Sequence, residues 1–131
     1  MLPQLANLRV QLARTPRGEN APALDTYVEG VRILLPLAAL RAFYAKWHIV
    51  EFALFGSVLR EDFRPESDVD VLVRYAAQAP RTFSAFMIMQ AELEQLLGRA
   101  VEITERDSLN KSANEFLRKS ILHSAKVIYA A

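Results

Sequence analysis

Asp68 and Asp70 occupy alternate positions of the run SDVDVLV, and ten residues separate them from the pair Gly56-Ser57. In an extended strand alternate side chains share a face. The two carboxylates are therefore expected to project together, with Val69, Val71 and Val73 packing on the other side. Two carboxylates about 5 Å apart repel by about 3 kcal/mol at an effective dielectric near 20. A cation between them removes that cost. Oxygen-only ligation suits Mg²⁺, which binds few carboxylates and shares its shell with phosphates. Gly56 lacks a Cβ and lets a phosphate come within hydrogen-bond range of the backbone. Ser57 adds a hydroxyl and an N–H at the start of a helical turn, where the dipole favours an anion.

Neither pair is specific alone. Gly-Ser is common, and Asp-x-Asp usually marks a solvated turn. Here the acids open a strand of otherwise apolar residues, where an unpaired charge is costly. Glu102, between Val101 and Ile103, has the same in-out alternation on a later strand. If that strand lies beside the one carrying Asp70, Glu102 supplies a third carboxylate. Glu105 and Asp107 come too late in the strand to be preferred.

The surrounding elements must position these groups. Residues 50–55 read as a buried strand ended by Gly56, and 58–63 as a turn. Residues 69–75 form a second strand, 100–104 a third, and 126–130 a closing one. Pro36 suits the first position of a helix over 36–47, with Leu37, Leu40, Phe43 and Trp47 in one stripe. A helix near 81–97 is expected to turn Phe83, Phe86, Met87, Leu93, Leu96 and Leu97 inward and to stop at Gly98. Another helical pattern is best over 113–124. Residues 23–34 are ambiguous: Asp25 suits a helix cap, and Gly30 weakens a helix. Residues 15–22 read as a turn, and 2–14 repeat leucine at helical spacing.

These elements divide the chain into an N-terminal arm, 1–33, and a domain, 34–131. The predicted fold is α/β: a small mixed sheet with helices packed mainly on one face, its second and third strands parallel through a crossover.

With 131 residues the chain can bury a real core, and a formal charge of +1 gives no broad basic field for nucleic acid. The absence of cysteine excludes a disulfide framework and thiolate metal sites. No apolar run is long enough to span a membrane, and the N-terminus lacks the order of a signal peptide. A cytoplasmic protein is the simplest expectation. His48 and His123 form no ligand pair, and the cluster Arg118, Lys119 and Lys126 reads as solvated surface.

In combination, Gly-Ser, ten residues and Asp-x-Asp resemble the DNA polymerase β-like nucleotidyltransferase superfamily. More narrowly, the chain is similar to the minimal nucleotidyltransferases of prokaryotes, the MNT-domain antitoxins that accompany HEPN-domain toxins. The resemblance runs from about Leu35 to the C-terminus and includes ALFGSVLREDFRPESDVDVLV, LEQLLGRAVEI and ILHSAKVIY. It implies a nucleotidyltransferase fold and two Mg²⁺ ions held by Asp68, Asp70 and Glu102. It further implies ATP as substrate, its phosphates met by Gly56 and Ser57. Arg60 falls at a position often basic in the family and is a candidate phosphate contact. The implied reaction is in-line attack of a hydroxyl on the α-phosphorus, with pyrophosphate leaving. Glu102 departs from the family pattern, which usually has aspartate there to activate the attacking hydroxyl. Glutamate is one methylene longer.

Related enzymes carry further domains that hold their acceptor, whereas this chain has little beyond the core. The acceptor is therefore expected on another macromolecule, by analogy a tyrosine hydroxyl of a HEPN ribonuclease toxin. One alternative is a stoichiometric toxin binder whose site is degenerate at Glu102. Another is a small-molecule nucleotidyltransferase completed by a partner or a dimer. The leucine stripe of the arm is a candidate contact for the toxin or for a second copy of the chain.

Overall fold

The computed structural model describes residues 26–131. The expected helix over 2–14, the turn over 15–22 and the Asp25 cap lie outside the described residues. Two short strands, β1 (Thr26–Tyr27) and β2 (Leu34–Leu35), pair antiparallel as a ribbon. Gly30 takes φ 83° in the turn between them. This ribbon replaces the helix that Asp25 and Gly30 left open. It also belongs to the main body: Val31, Ile33 and Leu35 are buried in the central core, so the core crosses the boundary expected at residue 33.

Helix α1 (Leu37–Trp47) follows. Pro36 stands just outside its first turn, and its carbonyl accepts from the Leu40 N–H at 2.8 Å. His48 ends α1 in the left-handed region, φ 57°. Strand β3 (Ile49–Phe55) leads into one turn of 3-10 helix, Gly56–Leu59. Strand β4 (Val69–Tyr75), helix α2 (Phe83–Leu97) and strand β5 (Val101–Glu105) come next. Thr82 caps α2 by accepting from the Ala85 N–H, and Gly98 closes it at φ 73°. The helical stretch expected after β5 divides in two, and its first part is the short helix α3 (Arg106–Asn110), which follows β5 directly. Helix α4 (Glu115–Ser124), capped by Asn114, precedes strand β6 (Lys126–Ala130).

The four-stranded sheet has the order β5-β4-β3-β6. β3 pairs antiparallel with β4 and β6, and β4 pairs parallel with β5 across α2. The mixed sheet and the parallel crossover match the sequence expectation. Strand alternation sorts the side chains. Phe52, Leu54, Val69, Val71, Val73 and Val101 pack with Leu40, Phe43 and Tyr44 of α1 and Met89 and Leu93 of α2. The opposite face carries a smaller cluster of Ala53, Leu72 and Leu109, covered by Ile121 and Leu122 of α4. The larger core thus lies on one face, and α3 and α4 add a thinner layer on the other.

Two residues assigned to the inner stripe of α2 face outward: Phe83 is 77% exposed and Met87 49%. The buried stripe is Phe86, Met89, Leu93, Leu96 and Leu97. Met87 lies one helical step, about 100°, off that stripe. Phe83 stands at the first helical position, before the core begins.

Candidate active site

Strand β3 delivers the chain to Gly56, which takes φ 79°, a conformation glycine adopts without strain. A second constraint acts there: a Cβ built on Gly56 would stand 2.3 Å from Asp70 Oδ2 and 3.2 Å from its Cγ. Asp70 pairs with Phe55 across β3 and β4, so its carboxylate sits under the start of the 3-10 turn. Only a residue without a side chain lets the bend and the acid come this close. Ser57 is half-buried in the same turn, and its carbonyl accepts from the Arg60 N–H at 2.8 Å.

On its other side Asp70 stands in register with Glu102 of β5. Both belong to the sheet face opposite Val69, Val71 and Val101. The parallel pairing of β4 and β5 thus places the third acid beside the second. Asp68 lies one residue before β4 begins, exposed, as is Glu102. Asp70 itself is half-buried. Burial raises the Asp70 carboxyl above its ordinary value; the negative charges of Glu102 and then Asp68 raise it further, and Arg60 offsets part of this. Arg60 is therefore within electrostatic reach of Asp70, while its Nε pairs with Asp62 at 3.0 Å.

Among the described residues, no three His, Cys, Asp or Glu side chains are gathered closely enough to form a ready metal cage. The donor chemistry nevertheless fits a hard divalent cation: Asp70 and Glu102 stand in register on one sheet face, Asp68 is close enough to act on Asp70, and one arginine does not balance the three charges. A cation placed there would relieve the repulsion that presses on Asp70.

The remaining candidates are engaged elsewhere. Glu105 pairs with Arg81, which also lies over the Tyr75 ring. Asp107 lies 3.9 Å from Arg74. His48 is at the opposite end of β3 from Gly56. Arg118 and Lys119 are tied to Glu115 on α4. Trp47 packs against the core and donates its indole N–H to Glu92 at 3.0 Å.

Sequence reading missed the residues that fix where β5 starts. Glu94 accepts from the Val101 N–H at 3.0 Å, and Gln90 donates to the Val101 carbonyl at 3.0 Å. Their spacing of four on α2, at the border of the apolar stripe, was the available signal. They hold the strand that sets Glu102 opposite Asp70.

The chain matches the nucleotidyltransferase domain family over residues 38–128. A Methanocaldococcus jannaschii protein bearing the name "putative protein adenylyltransferase" is 32% identical over 76 residues, 58% of this chain and 73% of that one. A solved "putative minimal nucleotidyltransferase" superimposes with a TM-score of 0.53 at 31% identity, covering 67% of this chain and 84% of that one. A solved toxin-antitoxin with AMP-PNP gives a TM-score of 0.54, covering 70% of this chain and 71% of that one. At 17% identity, that last likeness speaks for the fold alone. Among the described residues no helix is long and apolar enough to cross a membrane.

Proposed function

The chain belongs to the nucleotidyltransferase domain family, and from that premise we propose that it transfers AMP from ATP to a hydroxyl of a partner protein in a Mg²⁺-dependent reaction. The acceptor we assign is a tyrosine of a cognate HEPN-domain ribonuclease toxin, silenced by the modification in the cytoplasm. The observation that carries this reading is the lodging of Asp70 beneath Gly56 and opposite Glu102. Nucleotide and acceptor are thereby offered paired acids beside a glycine-serine bend. The relative named as a protein adenylyltransferase supports a protein acceptor, and the toxin-antitoxin of the same fold supports a toxin.

In this reading Asp68 and Asp70 hold the metal ions and Glu102 completes the acidic set. Mg²⁺ held there would supply charge neutralisation at the phosphate oxygens. Gly56 and Ser57 meet the phosphates with backbone N–H groups and the Ser57 hydroxyl. Arg60 adds a positive charge at the edge of the site. Glu102 takes the proton of the attacking hydroxyl. The acceptor oxygen bonds to the α-phosphorus as the bond to pyrophosphate breaks. Most of the rate enhancement then comes from positioning and fixed charge.

The test mixes the purified chain with ATP, Mg²⁺ and the HEPN toxin and weighs the toxin. A gain of one or more AMP units is expected, and it disappears when Asp68→Ala and Asp70→Ala are combined. Protection of cells or RNA without any mass gain would instead support stoichiometric binding.

A further inference from the structure

We propose that Arg99 is a positioning residue for Asp68, acting from outside the acidic face through the loop that delivers it. Residues 60–68 join the Gly-Ser turn to β4 without helix or strand. Asp68 is the last of them. The loop is largely exposed, so burial does little to fix it. Its local order is one turn: the Ser67 N–H donates to the Arg64 carbonyl at 3.0 Å, and the Arg64 N–H donates to Ser67 Oγ at 3.0 Å.

Arg99 reaches this turn from the other end of the fold's crossover. Its Nη1 lies 3.2 Å from the Arg64 carbonyl oxygen, 3.1 Å from that of Pro65 and 3.2 Å from that of Ser67. Two N–H groups are thus shared among three acceptors, each bond strengthened by the guanidinium charge. The guanidinium carbon also sits 4.7 Å from the centre of the Phe63 ring, in cation–π range. One side chain therefore holds residues 63, 64, 65 and 67.

The Ser67 carbonyl belongs to the peptide that enters Asp68. The next peptide is held too, because the Val69 N–H donates to the Ala100 carbonyl at 2.9 Å. Neighbouring residues 99 and 100 therefore pin the backbone on both sides of Asp68. Gly98, at φ 73° with nothing within 4 Å of a Cβ position, turns the chain out of α2 into this pair. The same two residues lead directly into Val101 and Glu102. The spacing between the first and third carboxylates is thus set by a single short segment.

The proposal rests on Asp68 being a metal ligand, and the experiment separates the two claims. The full chain and its Arg99→Met and Arg99→Lys variants are compared in three measurements. These are Mn²⁺ binding by titration, amide hydrogen exchange over residues 66–69, and AMP transfer against Mg²⁺ concentration. Outer-shell support of a metal site is typically worth about 10–100-fold in affinity. Arg99→Met is expected to weaken Mn²⁺ binding by about tenfold and to speed exchange at Val69, with exchange in α1 unchanged. Arg99→Lys keeps charge and donors but not the plane that stacks on Phe63, and is expected in between. Should the methionine variant fail to fold, the lysine variant carries the test. Wild-type Mn²⁺ affinity in whichever variant folds overturns the proposal, even if the loop exchanges faster. Wild-type protein that binds no Mn²⁺ sinks the metal-site reading and this proposal with it.

Discussion

Replacing Gly56 by alanine is expected to disarm the site while the fold survives. Two separable effects follow from the geometry. The new Cβ would stand 2.3 Å from Asp70 Oδ2, against 3.4 Å or more in an ordinary contact. The carboxylate must then retreat by about 1 Å, since overlap at that range is repulsive. Asp70 can do this by rotating a short side chain, so the backbone of β4 stays in place. A displacement of about 1 Å at a catalytic group costs on the order of 100-fold in rate. The backbone effect is smaller: a left-handed conformation costs a non-glycine residue about 1–2 kcal/mol, which lowers the melting temperature by several degrees. Gly30→Ala isolates this second effect, because Gly30 also has positive φ, 83°, but open space around it. Both variants are assayed by thermal melting, by Mn²⁺ titration and by AMP transfer to the toxin. Comparable losses of stability are expected, with transfer and metal affinity falling only in Gly56→Ala. If Gly56→Ala transfers AMP as fast as Gly30→Ala, the approach of the bend to Asp70 has no catalytic meaning.

Asp70→Asn removes a half-buried charge that Glu102 and Asp68 repel, so the metal-free protein should melt at the same temperature or higher. Transfer should fall by more than about 100-fold, beyond the usual outer-shell effect; a lower melting temperature would contradict the electrostatics. Glu102→Asp is expected to keep or raise transfer, measured by the mass of the toxin; complete loss would mean that the site is built around the longer arm. Trp47, the single tryptophan, offers an optical readout of the contact between α1 and α2. The hydrogen bond from Lys46 foremost, then that from Trp47, holds the Glu92 carboxyl below its ordinary value of 4.5 against the opposing pull of desolvation. A depressed carboxyl adds stability above its unfolded value and loses it as pH falls through the folded one. Trp47 fluorescence should therefore change below pH 4.5 and lose that transition in Glu92→Gln; a transition centred above 4.5 would reverse the sign.

The sequence by itself determined what depends on near neighbours. Alternation put Val69, Val71 and Val73 on one face and Asp70 on the other, because a strand has a period of two. Gly56 and Gly98 marked element ends because they accept positive φ. A continuous stripe located α1 and α2. The same local logic failed where an element's surroundings decide. Phe83 and Met87 have the hydrophobicity of core residues, yet α2 presents them to solvent: Phe83 opens the helix ahead of the packed stripe, and Met87 lies a helical step off it. Residues 26–35 carry no strong pattern, and pairing alone makes them a ribbon.

Tertiary structure alone decided the distances. The register of β4 on β5 sets Asp70 beside Glu102, and a slip of one residue would have turned Glu102 to the other face. Glycine at position 56 reads from sequence as a turn; only folding shows that its missing side chain makes room for a carboxylate fourteen positions later. Arg99 is silent in sequence because its three carbonyl partners lie more than thirty residues upstream. Contacts between segments so far apart arise from closure of the whole sheet, and no periodicity within one segment encodes them.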